Sequence, residues 1–379
     1  MLSPFDRVDV NLTISVPPAQ DLSVHNTAMV TYSPLPNDAL YKAYYDVKTF
    51  ITDFPVATYP EDNSWGSTFY SNNTSGVLIV IHCTKPSADT DVTVSTAILQ
   101  TLDELEASVT PGTPSSFYTV SFANADDLFY SDLQVVSELE ALEASGKELF
   151  VMGQSYSPSM FQDLATWPVS AYLQSTALKS LGVCIIGYPN LTEDTIVPKV
   201  SAGASAFASQ ISLTNGAQQD LDGQTFFDVK PLKINSVDKF NITYNKANII
   251  QYVNDQINMY FRYKNQTQFC FGLAMATENI PVMYYYTRQL LKEELIATLN
   301  PIFFSGALPY NHSTIARGRA LIDSVLAQFV TAQLIDTGYT IVDPTLDFTM
   351  PIPRSLKWMI YVTLAGRVYA ISIGGNLQG

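Results

Sequence analysis

Val77-Leu78-Ile79-Val80-Ile81-His82-Cys83 is an uncharged run with five aliphatic side chains in succession. It shows no polar alternation, so neither face is marked for water. A run this short reads as a fully buried strand. Strands of that kind belong to parallel sheets covered by helices, so this segment decides the fold class.

Reading outward from it gives an alternation. Ser95–Val109 is helical, with Ile98, Leu99, Leu102, Leu105 and Val109 on one stripe. The Pro-Gly-Thr-Pro turn at 111–114 breaks it. Phe117–Phe122 is a strand, and Asp126–Ala144 a helix opened by acids, which suits the helix dipole, and closed by Gly146. Glu148–Gly153 is a strand, Val169–Leu178 a helix and Leu181–Gly187 another buried strand. This β-α-β-α-β-α-β order predicts a mostly parallel sheet with helices on both faces.

The two ends read differently. Val8, Val10, Leu12, Ile14 and Val16 alternate with polar residues and share one face of a half-buried strand, which Pro17 and Pro18 end. A strand flanked by prolines tends to be an edge or an arm. Beyond residue 230 the texture changes. Phe240–Tyr244 is strand-like, and Ala247–Tyr263 is ambiguous between helix and strand. Met283–Leu299 and Thr314–Ala332 are amphipathic helices, and Gly338–Val342 is a strand. Lys357–Leu364 and Arg367–Ile373, around Ala365-Gly366, read as a β-hairpin.

The 379 residues are 47 % hydrophobic and 15 % charged, which excludes intrinsic disorder. The longest uncharged apolar run, 76–83, falls far short of the ~20 residues of a membrane span. A surface polar through Ser, Thr, Asn and Tyr suits burial against neighbouring subunits. The net charge of −15 disfavours nucleic acid and anionic membranes. From 102 to 150 there are ten acids and one base, Lys147, whereas from 313 onward five bases stand against four acids. Cys83, Cys184 and Cys270 are odd in number, lack CxxC spacing and lie in apolar or aromatic runs, as buried free thiols do. The start, MLSPFDRVDVNL, has neither a basic nor an apolar signal region, so no secretory signal is expected.

The search for chemistry yields no catalytic residue, cofactor site or metal site. His25, His82 and His312 lack a second ligand at HxxxH or HxH spacing. No Gly-x-Ser-x-Gly elbow, Walker loop or Gly-x-Gly-x-x-Gly follows a strand. The adjacent acids Asp126/Asp127 and Glu293/Glu294 lie in helical contexts, where neighbours in sequence do not face each other.

Several stretches, taken in order, carry a resemblance. They are Phe5–Ile14, the aromatic-rich Tyr45–Phe50 with Phe54 and Trp65–Tyr70, the buried strand at 77–82, then Ile315–Phe329, Asp343-Pro344-Thr345, Pro351-Ile352-Pro353 and Trp358–Ile371 with its Leu-Ala-Gly turn. In this order the chain resembles the contractile-tail sheath proteins of bacteriophages, in a compact form. The resemblance implies an N-terminal arm strand over 1–22, an outer α/β domain over 23–230, an inner α+β domain over 231–356 and a C-terminal hairpin and arm over 357–379. It implies a helical homopolymer around an inner tail tube protein, met at its ends by a baseplate and a tail terminator, in a virion tail assembled in the host cytoplasm. It implies no enzyme activity, no cofactor, no nucleic-acid partner and no membrane insertion. The arms would add as strands to neighbouring subunits through Val8, Val10, Leu12 and Ile14 at one end and Val368, Ile371 and Ile373 at the other. Unpaired backbone groups on an edge strand are what such arms satisfy. Read on residues alone, the alternative is that strand 8–16 pairs with 367–373 of the same chain. Arg317 and Arg319 are the expected contacts to an acidic tube, with Arg288 and Lys292 as second choices. The alternatives are another tail or baseplate component, the sheath of a phage-like injection machine, or an α/β enzyme with an unrecognised site.

Overall fold

The computed structural model describes residues 23–108, 114–123, 131–155, 181–187, 232–233, 257–263, 266–270, 282–304, 309–346, 356 and 358–363. The chain divides into two compact units between Glu293 and Glu294, inside one helix. Strands beyond residue 230, at 232–233, 257–263 and 266–270, belong to the first unit.

The first unit holds a nine-stranded sheet. Its strands are β1 (Asn26–Thr31), β2 (Tyr41–Tyr44), β3 (Val77–His82), β4 (Thr119–Phe122), β5 (Phe150–Ser155), β6 (Gly182–Gly187), β7 (Leu232–Lys233), β8 (Ile257–Tyr263) and β9 (Gln266–Cys270). The order is β2-β3-β1-β4-β5-β6-β8-β7, with β9 on β8. Pairing is parallel except for β2 on β3 and β9 on β8. The fold is therefore mixed α/β with a mostly parallel sheet. Leu78, Ile79, Val80 and Ile81 are all fully buried, the expected signature of a strand shielded on both faces. The ambiguous stretch 247–263 resolves as strand from Ile257.

Four helices of this unit are α1 (Val47–Asp53), α2 (Pro60–Asn72), α3 (Thr93–Ala107) and α4 (Asp132–Ala144). Asp46 caps α1 by accepting from Thr49 N–H at 2.8 Å, and Pro60 opens α2 where its missing N–H costs nothing. α3 has no cap of its own. Instead Glu138, on α4, accepts from the N–H groups of Val94 (3.0 Å) and Ser95 (2.6 Å). A carboxylate there satisfies orphan donors and the helix dipole together. Within the expected helix 126–144, α4 starts at Asp132, after an extended Ser131 that caps it by accepting from Gln134 N–H, and 124–130 lie outside the described residues. Gly146, at φ +70°, follows its end, the left-handed conformation glycine adopts without strain.

An aromatic cluster joins α1, α2 and β2. Tyr44, Phe50, Phe54, Trp65, Phe69 and Tyr70 are all buried, with Phe50 and Phe54 stacked at 5.0 Å. Gly66 lets α2 approach, since a Cβ there would lie 2.2 Å from the Phe50 ring.

Helix α5 (Val282–Phe304) begins in this unit. Its first half meets the starts of several strands. Tyr286 hydrogen-bonds Thr119 at the head of β4, and its ring lies 5.1 Å from that of Phe150 at the head of β5.

The second unit holds α6 (His312–Thr331) and an antiparallel pair, β10 (Thr340–Val342) with β11 (Met359–Tyr361). Ile315, Ile322, Val325, Leu326 and Phe329 form the buried stripe of α6, and Ile341, Trp358 and Ile360 are buried in the same unit. Gly318 makes room for Trp358, whose ring would be 2.5 Å from an added Cβ. The expected partner of 357–364 was 367–373. Among the described residues the partner of β11 is β10, and 364–379 lie outside them.

Candidate assembly interface

The β10–β11 ribbon is half-finished as a folding unit. Its register pairs Thr340 with Tyr361, Ile341 with Ile360 and Val342 with Met359. Side chains alternate along a strand, so Ile341 and Ile360 point one way and are buried, at 7 % and 3 % exposure. The other face carries Thr340, Val342, Met359 and Tyr361, all exposed. Asp336 N–H donates to the Thr363 carbonyl at 2.8 Å, which extends the pairing past the ribbon's end. A two-stranded ribbon of three-residue strands is marginal unless something packs on it or adds to it. Among the described residues each strand has one partner, so each offers an open edge.

α6 carries the two arginines singled out from sequence. Arg319 Nη1 donates to Asp343 Oδ2 at 2.7 Å, with both side chains largely in solvent. Arg317 is exposed and, of the two, is the one without an ion pair among the described residues. The second choices are corrected. Arg288 and Lys292 are buried, and Arg288 pairs with Glu148 at 3.3 Å, both side chains below 5 % exposure. Breaking such a pair leaves a charge stranded in the interior, so these bases serve the body of the first unit. The arm residues Val8, Val10, Leu12, Ile14, Val368, Ile371 and Ile373 lie outside the described residues.

Buried ionisable groups elsewhere are structural. Asp62 accepts from Ser33 Oγ at 2.7 Å, and burial raises its carboxyl above the usual range. His82 Nδ1 contacts the Ser33 carbonyl at 3.0 Å, which ties the ends of β1 and β3 together. Burial, then the nearby Glu138, pushes the Cys83 thiol up to about 12, the opposite of what a nucleophile needs. Among the described residues no three His, Cys, Asp or Glu side chains group as metal ligands, and no helix is long and apolar enough to cross a membrane.

Sequence reasoning missed the ribbon's exposed face. Thr340-Ile341-Val342 and Met359-Ile360-Tyr361 carry no polar–apolar alternation that would mark one face for water. What was missing was the knowledge that the two runs pair with each other.

No family model matches the chain, and no curated protein matches it in sequence. Solved structures do match, nearly end to end. A chain of the anti-feeding prophage baseplate is similar at a TM-score of 0.64 and 13 % identity, over 98 % of this chain and 98 % of that one. The helical sheath of the anti-feeding prophage in its contracted state gives 0.61 and 12 %, over 100 % and 99 %. The contracted PVC sheath of an extracellular contractile injection system gives 0.60 and 12 %, over 100 % and 99 %. With both units included in each match, the chain has the fold of the contractile sheath proteins.

Proposed function

We propose that the protein is a structural subunit of a contractile sheath. It polymerises helically with itself around an inner tube and contracts to drive that tube through a host envelope. The observation that carries this reading is the likeness to subunits of contracted helical sheaths over the whole chain. The half-exposed β10–β11 ribbon supports it, because a ribbon with open edges is what an incoming strand requires.

On this reading residues 1–22 are the N-terminal arm and 357–379 the C-terminal hairpin and arm, the first compact unit with its nine-stranded sheet is the outer domain, and the rest of the second is the inner domain. Arms from neighbouring copies add to β10 and β11. Arg317 contacts the tube protein, while the baseplate and the tail terminator meet the sheath at its ends. The subunit is not an enzyme and takes neither cofactor nor nucleic acid. Energy is held in the subunit interfaces, as a metastable lattice relaxing to a better-packed one. The location is a virion tail, assembled in the host cytoplasm. A second reading, the sheath of a phage-like injection machine, is favoured by the likeness to the prophage and PVC sheaths. The two readings share subunit mechanics and differ in cargo.

Negative-stain electron microscopy of the purified protein at rising concentration, with and without tube protein, tests the proposal. Hollow tubes of uniform width, or decorated inner tubes, are expected. Monodisperse particles under both conditions would sink it. Leu12→Pro and Val368→Pro each remove a backbone donor from an arm. Both variants are expected to stay folded and to lose polymerisation.

A further inference from the structure

The segment that leads into β1 is held by bonds that the strand itself does not require. Ser23 N–H donates to Ser116 Oγ at 2.9 Å, Val24 N–H donates to Glu293 Oε1 at 2.6 Å, and Asn26 Nδ2 donates to the Ser116 carbonyl at 2.8 Å. The partners come from two other parts of the first unit: Ser116 just ahead of β4, and Glu293 on α5. Val24 is buried and Glu293 partly so, and the bond between them is short and charge-assisted. Glu293 lies in the half of α5 already fixed by the buried Arg288–Glu148 pair and the Tyr286–Thr119 hydrogen bond. Its acceptor oxygen is thus carried by a rigid element.

Directly after this point the chain becomes β1, which is bonded on both edges, to β3 over six residues and to β4 over four. Tension applied along a strand between two parallel neighbours loads those bonds together. Tension applied to an unpinned lead-in would peel them one after another from the end. Bonds at residues 23, 24 and 26 decide which of the two occurs.

We infer that Ser116 and Glu293 form a clamp that fixes the root of the N-terminal segment and passes tension on that segment into β1. The inference rests on the sheath reading, in which residues 1–22 join a neighbouring subunit and transmit force during contraction.

Two measurements on the unassembled full-length chain test it. The first is amide hydrogen exchange read by mass spectrometry in Glu293→Ala, Ser116→Ala and Glu293→Gln. Exchange at residues 23–25 is expected to rise about tenfold in Glu293→Ala and less in Ser116→Ala, with β3 and β5 unchanged. Glu293→Gln keeps a carbonyl acceptor and is expected to retain most of the protection. Unchanged exchange at 23–25 in both alanine variants overturns the clamp. So does an equal rise across the whole sheet, which would make Glu293 a general support of the fold. The second is single-molecule pulling between the N-terminus and a handle at the exposed Asp103. The first rupture force is expected to drop in Glu293→Ala and to persist in Glu293→Gln. Equal forces in all variants overturn the passage of tension through the clamp. Neither measurement involves polymerisation, so the clamp can fail while the sheath reading stands, and the microscopy can fail while the clamp stands.

Discussion

The nine-stranded sheet and the β10–β11 ribbon meet opposite fates with similar residues. In β1 the side chains from Thr27 to Thr31 and in β3 those from Leu78 to Ile81 are buried without a break, so both faces of those strands are finished within one chain. In β10 and β11 only the middle residue of each strand is buried. The first region is a closed piece of architecture. The second has solved half of its packing, against its own unit, and leaves an apolar face with Val342, Met359 and Tyr361 to water. A chain that finishes one sheet and leaves another open separates stability from assembly.

That separation can be broken experimentally. The largest effect is expected at the closed region. Val30→Asp puts a carboxylate where the side chain is wholly buried, and should cost about 4 kcal/mol or more, enough to unfold the first unit. Denaturant unfolding followed by circular dichroism measures it. If Val30→Asp were tolerated, β1 would not be the centre of a closed core.

Next comes the cap lent by one helix to another. Glu138→Ala strands the buried N–H groups of Val94 and Ser95 and should cost about 2–3 kcal/mol in the same measurement. The pH dependence has a defined sign. Burial is the largest influence on the Glu138 carboxyl and raises it above its ordinary 4.5, despite the donors around it. Its neutral form is therefore favoured by folding. The associated stability is full below 4.5, the unfolded value, and is lost as pH rises through the raised folded value. Asp62, raised mainly by burial, acts in the same direction. Wild type should lose stability relative to Glu138→Gln as pH climbs from about 4.5 towards neutrality.

Gly318→Val tests the finished side of the open region. Its Cβ would meet the Trp358 ring at 2.5 Å, and such overpacking costs about 1–3 kcal/mol. A local loss in the second unit, seen as Trp358 fluorescence at lower denaturant, is the expected result.

The smallest stability change belongs to the unfinished face. Tyr361→Ser alters a side chain that is 42 % exposed, and should change folding by less than about 1 kcal/mol. Tube formation should nevertheless be lost. A variant that melts early but still assembles would invert the comparison between the two regions.

Much of the closed sheet was legible because its pattern is local. The runs 77–82 and 182–187, and the stripe Ile98, Leu102, Leu105, announce themselves within a dozen residues. β1 did not, because Asn-Thr-Ala-Met-Val-Thr is short, mixes polar with apolar residues and shows no alternation. A strand in the middle of a sheet needs none, and buried threonines such as Thr27 and Thr31 read as surface when met in sequence. The arginine and lysine of α5 misled for a related reason. Arg288 and Lys292, spaced i and i+4, look like an exposed basic face, yet the partner of Arg288 is Glu148, 140 residues away. Arg319 looked available until Asp343, 24 residues on, took it up. Local pattern reports which element forms, and distant partners decide which side chains remain for others.

The bond from Val24 to Glu293 spans 269 residues, and that separation sets a clock. A ribosome adds about 5–20 residues per second. Val24 therefore waits on the order of tens of seconds for its acceptor to be made, by which time β1, β3 and β4 are long since synthesised. Until then the lead-in to β1 holds only its bonds to Ser116, so the clamp is complete only once α5 has been made.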